Sequence, residues 1–223
     1  MPEPQLKFSD KNNIARLDLK VKPNSSSASA STLSNLINKG NDNYKINFHL
    51  PTKIETDMNF NFGLGKVDID FSGIRISNLI MDCGLSDVTL VSKKPNIISC
   101  DNIHISTGIS DFNSFGLGNF NSSKYTFDVG MGSAEIDMSG SVNNDAIVKI
   151  EVSVGSLELR LPSNTNINLS INQNMLSSVN VKDLVSVGEG RYESKDYQKR
   201  WSSMNIEISV GIGSVDVSTI KKQ

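Results

Sequence analysis

Two cysteines and two histidines in 223 residues leave little material for a metal centre or a disulfide framework. Cys83 and Cys100 lie 17 residues apart, His49 and His104 fall in separate segments, and no spacing among the four resembles a zinc site. A dominant sign of charge is also missing. The 22 basic residues nearly cancel the 24 acidic ones, which removes the electrostatic footprint expected for nucleic acid or an anionic membrane surface. Long apolar runs are absent too. No window approaches the ~20 apolar residues of a membrane helix, and "MPEPQLKFSDKNN" has neither the basic nor the apolar region of a signal peptide. The chain as it stands is therefore expected to be soluble and without a membrane span. No serine pairs with a base in a way that suggests nucleophilic catalysis. With 37% hydrophobic and 21% charged residues, the composition is that of an ordinary folded protein.

What the sequence does contain is repetition. "FGLGKVDIDF" at 62–71 places two glycines one residue apart inside an alternating apolar stretch. The unit recurs as "CGLSDVTL" at 83, "TGISDFNS" at 107, "VGMGSAEI" at 129, "VSVGSLEL" at 152 and "VGIGSVDV" at 210. The second small residue of each copy is Gly65, Ser86, Ser110, Gly132, Gly155 and Gly213, giving spacings of 21, 24, 22, 23 and then 58. A period near 22 indicates stacked rungs.

Aligned copies show columns that are apolar at every second place. Phe60, Met81, Ile105, Phe127, Ile150 and Ile208 form one; Met58, Leu79, Ile103, Tyr125, Val148 and Ile206 form another. Period two means strands with one buried face. Leu64, Leu85, Ile109, Met131, Val154 and Ile212, between the small residues, continue this phase and are expected to face inward with them. Beyond the second small residue the phase slips by one place, to Val67, Val88, Phe112, Ala134, Leu157 and Val215. A straight strand would thereby turn inside out. A bend or bulge at the Gly-x-Gly step repairs this, with Gly63, Gly65, Gly84, Gly108, Gly130, Gly132, Gly155, Gly211 and Gly213 as structural corners. The expected fold is all-β, a β-solenoid in which each rung covers the apolar face of the next.

Residues 1–57 read differently. "NIARLDLKV" at 13–21 and "NYKINFHL" at 43–50 alternate like strands. Between them "STLSNLINKG" offers Ser31 as N-cap, Leu33, Leu36 and Ile37 at helical spacing, and Gly40 as a stop. A segment of strands and one short helix capping the solenoid at 58–218 is expected, since a solenoid's terminal edges need cover or a partner. The 58-residue gap before the last copy holds "LPSNTNINLSIN", another rung strand, and an irregular loop at about 173–203. Lys195, Tyr197, Lys199, Arg200 and Trp201 there mix cations with aromatics. They form either an interaction patch for a glycan or anionic polymer, or a cover in which Trp201 shields the final rung.

Candidate chemistry is confined to acids. Asp68, Thr89, Asn113, Glu135, Glu158 and Asp216 share an outward column, with Asp70 and Asp137 two residues further along. Paired carboxylates could serve acid/base work on a polysaccharide. The column is interrupted, however, and no arginine or lysine stands out beside it, so solvated rung surface is the simpler reading. Calcium-binding nonapeptides place aspartate two residues after a glycine and repeat every nine, unlike this period; a dinucleotide fingerprint would need a third glycine where Asp68 stands. Cys83 falls in a core-facing column and reads as a buried thiol. No cofactor, metal or catalytic residue is expected.

The repeated corner, with the closing "GRYESKDYQKRWSSMNIEISVGIGSVDVS", resembles the toast-rack family of bacterial β-solenoids, over roughly 58–218. That family includes adhesin-like proteins and the C-terminal domain of LiaF-type cell-envelope stress regulators. The resemblance implies a non-catalytic interaction or scaffold module, located in the cell envelope or secreted, with a protein or glycan partner; self-association through solenoid ends is expected from their open strand edges. It transfers no catalytic motif. The alternative is a polysaccharide-modifying enzyme using the rung carboxylates.

Overall fold

The computed structural model describes residues 5–11, 14–20, 50, 52–172, 175–196, 198 and 201–220. The chain divides into two compact units, Met1–His49 and Leu50–Gln223. In the first, β1 (Gln5–Lys11) and β2 (Ile14–Lys20) form an antiparallel pair with Phe8 opposite Leu17. The helix expected around Leu33–Ile37 lies outside the described residues, as do all but the last residue of the strand expected at 43–50.

The second unit is all β apart from a single 3-10 turn at Leu117–Phe120, among the described residues. Its strands are β3 (Glu55–Asp70), β4 (Arg75–Val91), β5 (Asn102–Phe115), β6 (Lys124–Asp137), β7 (Ala146–Pro162), β8 (Asn166–Asn172), β9 (Ser177–Val181), β10 (Leu184–Gly188), β11 (Arg191–Ser194) and β12 (Ser203–Ile220). β3 to β7 and then β12 stack in parallel, each in register with the last, so that Phe127 lies opposite Ile150 and Val152 opposite Val210. β8 and β9 pair with the other edge of β12.

Chain length forces each long strand to fold back on itself. β3 has 16 residues and would span about 50 Å if straight. Residues 71–74, which connect it to the start of parallel β4, can cover no more than about 18 Å. The strand therefore bends near its middle into two limbs whose ends come close. The ring contact between Phe60 on the first limb and Phe71 beyond the second, centroids 6.4 Å apart, marks the closure.

Burial follows the slipped phase. In β7 the buried places are 146, 148, 150 and 152 on the first limb, then 157, 159, 161 and the terminal 162 on the second. The core fills the space between limbs, with Leu79, Ile105, Phe127 and Ile150 on one side and Val88, Phe112, Ala134 and Leu157 on the other. Each fully buried large side chain contributes about 1.5–3 kcal/mol, and each rung buries several. One column departs from expectation. Leu64, Leu85, Ile109, Met131, Val154 and Ile212 do not continue the inward phase; all six are exposed. A residue between two limbs of opposite phase belongs to neither face and sits on the outside of the bend.

The segments that return from one rung to the next are held by backbone bonds such as Asn96 N–H to the Asn119 carbonyl at 2.7 Å, and by asparagine side chains. Asn119, buried, donates from Nδ2 to the Ser92 carbonyl at 2.7 Å and accepts at Oδ1 from the Ser141 N–H at 2.9 Å. Asn166 repeats the device, bonding the Gln198 and Trp201 carbonyls and the Gln198 N–H. The stretch expected as an irregular loop at 173–203 holds three strands: β9 continues the second limb, and the β10–β11 hairpin folds antiparallel onto β8. These strands occupy edge hydrogen-bonding groups that would otherwise be left open at that end of the sheet.

Candidate functional site

The outside of the bend forms a continuous surface feature. Leu64 is opposite Leu85, Leu85 opposite Ile109, Ile109 opposite Met131, Met131 opposite Val154, and Val154 opposite Ile212. At about 4.8 Å per strand the row runs about 24 Å. Its side chains are 38% to 60% exposed. β9 joins β12 with Ser177 opposite Gly213, which places exposed Leu176 at the next step of the row. Glycine or serine stands on both sides of every residue in the six-membered row, so the apolar side chains rise from nearly bare backbone. Close stacking enforces this. A Cβ on Gly84, Gly108 or Gly130 would strike the carbonyl oxygen of the glycine one rung below, and one on Gly211 would strike that of Ser153.

Two outward columns border the row. Before it run Asn61, Asp82, Ser106, Asp128, Glu151 and Ser209; after it run Lys66, Asp87, Asp111, Ser133, Ser156 and Ser214. Asp87 lies directly opposite Asp111, and Asp128 directly opposite Glu151. Like charges across a ladder are destabilising. Ser133 donates to Asp111 at 2.5 Å, and His104 Nε2 lies 3.7 Å from Asp128. Among the described residues neither Lys nor Arg forms an ion pair with any of the five border acids.

The carboxylates singled out in the sequence are placed differently. Asp68, Thr89, Asn113, Glu135, Glu158 and Asp216 do align in one column. The expectation that no cation accompanies them is corrected by Arg160, which bonds Glu158 from Nε at 2.8 Å and Glu135 from Nη2 at 3.1 Å. Arg160 is opposite Asp137 in register, two residues beyond Glu158, and so reaches both rungs. The acid pair is committed to this bridge. Of the cation–aromatic patch, Lys195 and half-buried Trp201 line a 260 Å³ cleft with Asp183, Asp196 and Thr165; Tyr197, Lys199 and Arg200 lie outside the described residues. An open 460 Å³ cleft lies where Val187, Arg191 and Tyr192 of the hairpin region face Ile147 and Glu207.

Residues 2–96 match the family model described as the N-terminal domain of toast_rack, DUF2154. Residues 2–96 carry the N-terminal toast-rack domain. The matched stretch takes in β1 to β4, whereas the resemblance read from the repeat covers 58–218, so the two meet over 58–96. A solved structure described as "a putative cell adhesion protein from Clostridium sporogenes" is similar over 98% of this chain and 77% of its own, at 18% identity and a TM-score of 0.48. No curated protein matches. No helix among the described residues of the toast-rack protein is long and apolar enough to cross a membrane.

Both thiols of the toast-rack protein are free and buried. Burial pushes Cys83 above its ordinary value of 9.0, and pushes Cys100 to about 11. Since the thiolate is the reacting form, neither should react with Ellman's reagent at pH 8 in the folded state, and both should react in guanidinium. The unfolded chain ionises first. Stability contributed by the neutral thiols is therefore full below pH 9 and is lost as pH rises towards about 11, which urea melts across that window would register. Rapid stoichiometric labelling at pH 8 would show that the thiols are accessible.

Proposed function

We propose that this toast-rack protein is a non-catalytic interaction module of the cell envelope, an adhesin-like or stress-sensing scaffold that binds a protein or glycan along its repeated outer faces. The observation that carries the reading is the exposed apolar row at the corner. Six rungs place an apolar side chain at the same outward position, where solvation of each favours a polar residue, and contiguous exposed apolar surface of this kind marks interaction sites. The Arg160 bridge supports the non-catalytic part, because it holds Glu135 and Glu158 as an ion-paired unit. The family match supports placement among toast-rack proteins, and the resemblance supports an envelope location.

Two measurements test this reading. Incubation with a panel of envelope polysaccharides should give no new reducing ends, whether or not the protein is retained, and cell fractionation should place the native protein with the envelope. Sustained cleavage that disappears in Glu135→Gln or Glu158→Gln would replace the module with an enzyme.

A further inference from the structure

Resting on that reading, we infer that the corner row docks a basic amphipathic segment of another protein, with the partner's apolar stripe on Leu85–Ile109–Met131–Val154 and its lysines or arginines over the flanking acids. Charge decides among the occupants an apolar row could take. Asp82, Asp128 and Glu151 border one side, Asp87 and Asp111 the other, against the single cation Lys66. A membrane surface carrying anionic headgroups would meet these acids with repulsion. A second copy placed row against row would set acid column against acid column, which costs association energy. A partner that is apolar along its centre and basic along its margins satisfies both features at once.

The acids themselves support this choice. Elsewhere on the solenoid the like-charged neighbours Glu135 and Glu158 receive Arg160 at 3.1 and 2.8 Å. Asp87 with Asp111, and Asp128 with Glu151, receive neither lysine nor arginine among the described residues, although they stand directly opposite across the ladder. A cationic partner supplies the missing counter-charge. The glycines and serines beside each row residue let that partner approach to the backbone. A row of about 24 Å matches a helix of about 16 residues, whose i, i+3, i+4 stripe provides the apolar face.

The test uses the full chain and a 16-residue helical peptide with a leucine stripe bordered by lysines, beside a counterpart bordered by glutamates. Calorimetric titration should show binding of the lysine peptide that weakens with salt, and none of the glutamate peptide. Affinity should fall by about tenfold or more in Ile109→Ser/Met131→Ser, and similarly in Asp87→Lys/Glu151→Lys. All four positions lie on the surface, and unchanged melting temperatures would establish that both variants fold. No binding at millimolar peptide, equal binding of the two peptides, or unaltered affinity in the variants would each overturn the inference. So would dimerisation abolished by Ile109→Ser/Met131→Ser, which assigns the row to a second copy, or vesicle binding abolished by it, which assigns the row to lipid. Any of these results without polysaccharide cleavage leaves the broader interaction-module reading standing.

Discussion

Gly155→Ala should cost about 3 kcal/mol or more, while Gly63→Ala should leave the melting temperature almost unmoved. Both residues belong to rung corners, and only one is crowded. Gly155 has φ +147°, and a Cβ there would overlap the Gly132 carbonyl oxygen and lie 2.9 Å from its carbon, which is backbone that cannot step aside without separating two rungs. At Gly63 a Cβ meets nothing within 4 Å and φ is not positive. Gly65 separates the two causes, since it has φ +131° but open space, so Gly65→Ala should show dihedral strain alone, about 1 kcal/mol. Urea denaturation of the three variants ranks them. Equal midpoints for Gly155→Ala and Gly63→Ala would show that the rung corners are not in close contact.

Asn96→Ala should have a comparably large effect through hydrogen bonds rather than shape. Asn96 Nδ2 donates to the Ile76 carbonyl at 2.7 Å and the Phe120 carbonyl at 3.2 Å, and its Oδ1 accepts from the Ile76 N–H at 3.3 Å. The side-chain amide thus takes the part of a peptide unit, meeting both backbone groups of buried Ile76 and tying them to the next rung. Alanine leaves three buried backbone groups without partners, at about 1–3 kcal/mol each before relaxation, so a loss near 3 kcal/mol is expected. Asn78→Ala is the control. Asn78 is half-buried and accepts one 3.4 Å bond from Asn102, so its loss should stay below about 1 kcal/mol. A loss below 1 kcal/mol for Asn96→Ala as well would mean that water replaces the amide.

The limbs were legible in the sequence because hydrophobic burial imposes its period directly: Phe127, Ile150 and Ile208 are buried where alternation places them. The bend was legible through the slipped phase. The row at the bend was misread for the same reason that the limbs were read well, since an apolar residue in phase is assigned inward, and Met131 or Ile212 carries no mark of its exposure. The slip held the missing signal, because a place shared by two opposite faces can lie only outside. Asn96 was invisible for a different reason. In "KKPNIIS" it looks like any turn asparagine, and its partners Ile76 and Phe120 lie 20 and 24 residues away. The role of Arg160 is not legible in one rung's sequence, because its reach to Glu135 depends on rung register.

The position of the last strand bears on how the chain is made. β12 lies between β7 on one side and β8 and β9 on the other, although β7 and β8 are neighbours in sequence. Rungs from β3 to β7 can zip onto one another in the order in which a ribosome releases them, each finding its template already formed. β8 cannot take its final place until β12 has emerged to lie between it and β7. β12, 18 residues long, therefore completes the sheet from within rather than extending it at an edge, and its pairings, which span 36 to 58 residues, form after those of β3 to β7. Until then β7 presents a free edge to any other strand in the cell, which makes chains interrupted before residue 203 the species most prone to mispairing.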